Sequence, residues 1–246
     1  MTDGGAIDYN RIMSDSQEGR RLHALSEEAR ERGDFLAALE HSDQATLAYQ
    51  KDGDLLGLAE VQSSRQSIFK HLYRQTKDGV WLILEKHAAL AAVEIAQKSG
   101  RAEALALPYH NLGKYYFEAQ EYQLAAEAFK KAVDNLTVYP DNRHSRPSVI
   151  ADIKGHQFAA QYRAGDKTAL SRALQALEAL RAAREDNSYN RNAWISGAHL
   201  RIAAMLAEND PEAARRHLAQ AKEIIDSDPS QVLRKNQLRP LEAELA

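Results

Sequence analysis

The chain has 246 residues, 44% of them hydrophobic and 27% charged, and its 32 Lys and Arg stand against 35 Asp and Glu for a net charge of −3. That balance gives no footprint for nucleic acid, and the absence of cysteine removes disulfides, thiolate nucleophiles and Cys-type zinc or iron–sulfur sites. No apolar run is long enough to span a bilayer and the first residues have no signal-peptide pattern, so a cytoplasmic protein is expected.

Taken in chain order, residues 1–14 with Gly4-Gly5 read as a flexible terminus. From there acidic N-cap candidates recur at Asp34, Asp78, Glu121, Asp166 and Asp210, at intervals of 44, 43, 45 and 44 residues. Each follows a short turn signal, such as Arg32-Gly33 or Ala164-Gly165, and Asp210-Pro211 pairs an N-cap with proline at the first helical position. The flanking segments carry helical periodicity: Ala125, Phe129 and Ala132 form one stripe, and Leu170, Leu174 and Leu177 another. Each marker therefore sits at a hairpin between a helix A before it and a helix B after it. The predicted hairpins are 15–49, 55–98, 101–138, 147–183 and 190–226. A last helix near 230–245 follows Ser227-Asp228-Pro229 and is expected to cap the exposed end, as stacked repeats require.

The third hairpin resembles the tetratricopeptide repeat (TPR) family. Tyr109, Leu112-Gly113 and Tyr116 stand in helix A, followed by Ala125, Phe129 and Ala132 in helix B and Pro140 after it. The small residues Gly113 and Ala125 let the two helices approach, and Phe129 fills the gap. Gly113 is expected to lie against helix B near Ala125. The first hairpin offers Leu22, Leu25, Ala38 and Ala45, with Ser26 in place of the glycine; the fifth offers Ala214, Leu218 and Ala221. The period exceeds the family's ~34 residues, so the helices must be extended; HEAT-like repeats of ~40–47 are the alternative architecture. The resemblance implies an all-α superhelix, a TPR-like solenoid of about five helix hairpins plus a C-terminal capping helix at 230–246, with A helices lining a concave groove.

No nucleophile elbow, phosphate-cradling loop, dinucleotide fingerprint or His-Glu-x-x-His motif is present, so no catalytic residue and no cofactor is assigned. The A helices each carry one histidine: His23, His71, His110, His156 and His199. Counted back from the acidic markers, four of the five share a face, and His156 is rotated by about a third of a turn. Paired i, i+4 histidines and accompanying carboxylates are missing, so no metal is assigned. The expected ligand-facing set is His71, Arg74, His110, Asn111, Lys114, Tyr162 and His199, with the histidines accessible to solvent. The reading that results is a non-enzymatic scaffold binding a protein or peptide in its concave groove. The alternative is a peptide- or ligand-sensing regulatory module acting through a partner chain. No nucleic-acid or membrane partner is expected, and self-association is left open.

Overall fold

The computed structural model describes residues 16–142 and 144–245; the expected flexible terminus 1–14 lies outside them. The helices, in order, are α1 (Gln17–Glu31), α2 (Phe35–Asp52), α3 (Leu55–Thr76), α4 (Gly79–Lys98), α5 (Ala106–Glu118), α6 (Tyr122–Val138), α7 (Pro147–Arg163), α8 (Ala169–Ala182), α9 (Ser188–Leu206), α10 (Pro211–Asp226) and α11 (Val232–Leu245). Five hairpins, α1–α2 to α9–α10, and a final helix make an all-α solenoid. No helix among the described residues is long and apolar enough to cross a membrane.

The caps explain where the helices begin. Asp34 accepts the Ala37 N–H at 3.2 Å, Asp78 that of Val80 at 3.0 Å and Asp210 that of Ala213 at 2.9 Å. Each satisfies a donor that the first helical turn leaves free. Asp166 caps a short turn through Thr168 instead, so α8 starts three residues beyond it. Glu121 makes no side-chain cap. A 3-10 turn at Ala102–Leu105 opens the third hairpin, delaying α5 to Ala106.

Packing within the hairpins follows small-against-aromatic contacts. A Cβ added at Gly113 would lie 2.7 Å from the ring of Phe129, which is fully buried with Ala125 and Ala132. Gly113 therefore lies on helix B as expected, but its partner is the Phe129 ring rather than Ala125. The first repeat uses Tyr49 in the same way: a Cβ at Gly19 would stand 2.5 Å from its ring, and one at Gly57 only 2.2 Å. These glycines let α1 and α3 close on the two faces of one aromatic side chain. Gly57→Ala is expected to destabilise the chain more than Gly53→Ala does relative to ordinary surface changes, because Gly53 has open space around it. Its own left-handed φ of +71° still charges Gly53→Ala a backbone penalty of about 1 kcal/mol. Chemical denaturation of the two variants provides the comparison.

A helices also pack on one another at α1–α3, α3–α5 and α7–α9, which sets them in the inner row. The C-terminal helix departs from a simple cap. It packs on α10 and α9 as expected, but Leu233 joins a core cluster with Ala29, Phe35, Phe69 and Leu72 from the first two hairpins. Val232 lies 3.8 Å from where a Gly33 side chain would begin, and the Tyr189 hydroxyl on α9 donates to the Glu31 carboxylate on α1. The superhelix thus closes on itself, with α11 set across its concave side. The reason is geometric: five hairpins accumulate enough rotation to bring α9 back to α1.

Candidate ligand chamber

Closure divides the concave side into two adjoining chambers. The larger, about 900 Å³, is walled by α1, the starts of α3 and α5, residues 138–142 and His144. The smaller, about 560 Å³, is walled by the later turns of α3 and α5, by α7 and α9, and by α11. Arg30, Ser67 and Lys114 border both.

Helical spacing sets the walls of the smaller chamber. His110, Lys114 and Phe117 recur at i, i+4 and i+7 on α5, and Asp152, His156, Ala159 and Arg163 continue that series on α7. Lys70, His71 and Arg74 supply one face of α3, and Gly197, Leu200, Arg201 and Ala204 one face of α9. Arg234 comes from α11, and it comes close: a Cβ at Gly197 would stand 2.8 Å from its guanidinium. The Arg234 Nε donates to the Ala193 carbonyl at 2.7 Å.

Charge is the chamber's main feature. Eight Lys or Arg side chains line it against three Asp or Glu, inside a chain whose net charge is −3. Some of those cations are neutralised: Arg74 by Glu118 at 2.6 Å, Arg30 by Glu27 and Glu31 at 2.6 Å each, and Arg201 by Asp152 at 2.6 Å. Burial raises the Glu118 carboxyl, but the Arg74 charge and hydrogen bonds overcome it and hold the group below the usual carboxylate range.

His110, Asp152 and His156 bring one ligand atom each to within 4.8 Å of one another, a spacing that could hold a metal ion. Here the protein's own cation takes that position. Arg201 binds Asp152 through Nη2 and donates from Nη1 to His156 Nε2 at 2.8 Å. With Nε2 accepting, the ring is neutral, and burial followed by the Arg201 charge keeps the His156 pKa well below its ordinary value. The His110 Nε2 is buried with no hydrogen-bond partner among the described residues.

Of the residues expected to face a ligand, His71, Arg74, His110 and Lys114 line the smaller chamber, and Asn111 lines the larger one. The histidines are not open to solvent: His71 and His110 are each 8% exposed, and His71 stacks on Phe35 with ring centroids 5.5 Å apart. Tyr162 and His199 do not line either chamber. Tyr162 is buried in the core that α7 shares with α8 and α9, its hydroxyl accepting from Asn209 at 3.1 Å. His199 is fully buried between α8 and α10, where Arg181 donates to its Nε2 at 2.8 Å and His217 bonds its Nδ1 at 2.9 Å. The inner face of α9 carries Gly197 and Arg201 instead, each two residues from His199. His156, set apart by the count from the acidic markers, lies inside the chamber.

Those buried histidines make stability depend on pH. Burial keeps His71, His110 and His156 well below the ordinary value of 6.5, and burial with the neighbouring His217 brings His199 to about 4. The unfolded chain binds the extra protons near pH 6.5 and the folded chain does not, so stability is full above that pH and is lost as pH falls toward 4. Glu85 works in the opposite direction: burial raises it to about 7, so its contribution fades as pH rises through 7. Four histidines outweigh one carboxyl, and Tm is expected to fall by more than about 5 °C between pH 7 and pH 5. A scanning-calorimetry series at constant ionic strength checks this; a Tm equal or higher at pH 5 contradicts it.

No protein-family model matches the sequence, and no curated protein matches it either. Solved structures do match the fold. The crystal structure of BtubC (BKLC) from P. vanneervenii aligns with a TM-score of 0.60 at 17% identity, covering 85% of this chain and 80% of that one. A Podospora anserina putative kinesin light chain, described by nearly identical TPR-like repeats, aligns over 92% of this chain and 95% of its own at 16% identity, with a TM-score of 0.53. The fold is that of a TPR-like α-solenoid. In this TPR-like chain the general repeat architecture is shared with those structures, and helices of 13 to 22 residues in the hairpins account for the long period.

Proposed function

We propose that the chain is a non-enzymatic scaffold that binds a protein or peptide segment on its concave side, the use to which TPR-like folds are generally put. The observation that carries this reading is the larger chamber, about 900 Å³, bordered by three successive A helices and wide enough for a short run of side chains. Its wall mixes polar groups such as Ser63, Ser64 and Asn111 with the apolar faces of Leu56 and Leu107. Such a surface suits a segment with mixed side chains.

The test compares affinity capture by the wild-type chain and by Leu107→Glu from cells of the native host. Leu107 is only half-buried, so the substitution leaves the helix in place. A protein retained by wild type and lost by at least tenfold from the variant supports the concave site; partners retained equally by both place binding elsewhere. The smaller chamber favours a second reading, a ligand-sensing module acting through a partner chain, because its volume is that of a small-molecule site.

A further inference from the structure

We propose that the smaller chamber binds a compact phosphate-bearing molecule, held by Lys70, Lys114 and Arg234. This stands whether or not a protein occupies the larger chamber.

These three cations come from α3, α5 and α11, and none has a carboxylate within ion-pair distance among the described residues. Lys70 makes no hydrogen bond there, although it is only 8% exposed. Among the described residues the hydrogen bond that Lys114 makes is a long one, 3.4 Å to the Asn111 side-chain oxygen. Arg234 spends Nε on the Ala193 carbonyl and Nη1 on Gln237 at 2.6 Å, leaving Nη2 for the chamber. Beside them lies the unpartnered His110 Nε2.

Holding uncompensated cations together away from water is unfavourable, and a chain can avoid it with methionine or leucine at no loss of packing. The strain is visible at each group. Burial draws Lys114 down to about 8 and Arg234 to about 10, and Lys70 well below the usual lysine range; neighbouring cations add to the effect on all three, against partial opposition from Asp152 at Lys114 and Arg234 and from Glu85 and Glu118 at Lys70. A multiply charged anion removes the conflict: on the chamber wall Glu118, Glu31 and Asp152 are already paired with Arg74, Arg30 and Arg201, and Glu85 near Lys70 is itself raised to about 7 by burial.

Three features narrow the ligand. Two ammonium groups and a guanidinium edge supply more positive charge than one carboxylate can use, which suits a phosphate ester or diphosphate. A volume of about 560 Å³ lies within the range of small-molecule sites, and α11 across the channel blocks an extended chain. Phe117, Trp194 and Leu233 add apolar wall beside the charges, room for the organic body of such a molecule. A metal ion is disfavoured at the His110–Asp152–His156 group because Arg201 already holds it and the surroundings are cationic.

The experiment is calorimetric titration and thermal shift on the full chain with inorganic pyrophosphate, ADP, citrate and Zn²⁺, at matched ionic strength. Pyrophosphate and ADP are expected to bind and raise Tm, with ADP tighter than pyrophosphate because of the apolar wall. Lys70→Met and Lys114→Met, each keeping the aliphatic stem, are expected to weaken both ligands at least tenfold without lowering the ligand-free Tm. Lys114→Arg should retain binding within threefold. If Lys70→Met does not fold, the Lys114 pair decides alone. Binding unchanged within twofold in Lys114→Met overturns the proposal, as does no Tm rise with either phosphate compound. Citrate binding as tightly as pyrophosphate overturns the phosphate assignment, and a Tm rise with Zn²⁺ alone that His110→Gln abolishes makes the histidine group a metal site instead.

Discussion

Gly113→Leu is expected to cost about 1–3 kcal/mol of stability or more, and to lower Tm by roughly 2–12 °C for a chain of this size. A single added Cβ already stands 2.7 Å from the Phe129 ring, closer than real side-chain carbons approach, and a leucine places three further carbons beyond it. Phe129 cannot yield easily, because it is fully buried and braced by Ala125, Ala132 and the His156 ring, 5.3 Å away between centroids. An exposed helical glycine behaves in the opposite way, gaining up to ~1 kcal/mol when a better helix former replaces it. The double variant Gly113→Leu, Phe129→Ala separates packing from propensity. Phe129→Ala alone should cost about 3–5 kcal/mol. Together the two changes should cost less than their sum by about 0.5–3 kcal/mol, since the leucine fills part of the space the ring leaves. Strict additivity, or a Leu variant as stable as wild type, would show that the helices do not meet at this glycine.

That contact was legible because it rests on local chemistry: a small residue on one helix, an aromatic on the next, at a spacing few other arrangements need. The starts of α3 and α4 rest on local chemistry too: Asp54 and Asp78 cap them, and Lys77 adopts a left-handed turn between the two helices. What sequence could not supply was rotation. His110 and His199 stand the same eleven residues before their acidic markers, yet His110 faces the chamber and His199 faces α8 and α10. Net charge concealed the chamber in a similar way. Lys70, Lys114 and Arg234 are scattered over 165 positions of a mildly acidic chain, and only closure of the superhelix brings them together. Asp152 and Arg201 were missed for the same reason, although their i, i+4 spacing from His156 and from Gly197 marks the inner face once the helix phase is known.

Closure itself leads to the second large effect. Leu233→Ala is expected to destabilise the chain by about 2–5 kcal/mol, because Leu233 leaves α11 to pack among Ala29, Phe35, Phe69 and Leu72 of the first two hairpins. More telling is where the loss appears. In an open solenoid each repeat is coupled only to its neighbours, so damage to the last helix reaches α9 and α10 and fades before α1. In a closed one, α11 and the bond from Tyr189 to Glu31 tie the fifth hairpin to the first. Native-state hydrogen exchange can tell the two apart, since it reports local opening amide by amide. The Leu233→Ala variant should exchange faster at the amides of Ala29 to Ala38, more than 190 positions away in sequence, by at least tenfold. The mid-chain amides of α5 and α6, which α11 supports less directly, should change less. A Tyr189→Phe variant removes the hydroxyl bond alone and should produce a smaller rise at the same amides, of the size expected for about 1–2 kcal/mol. Protection in α1 and α2 that stays at the wild-type level in both variants would mean that α11 is a terminal cap and that the two ends of the superhelix are energetically independent.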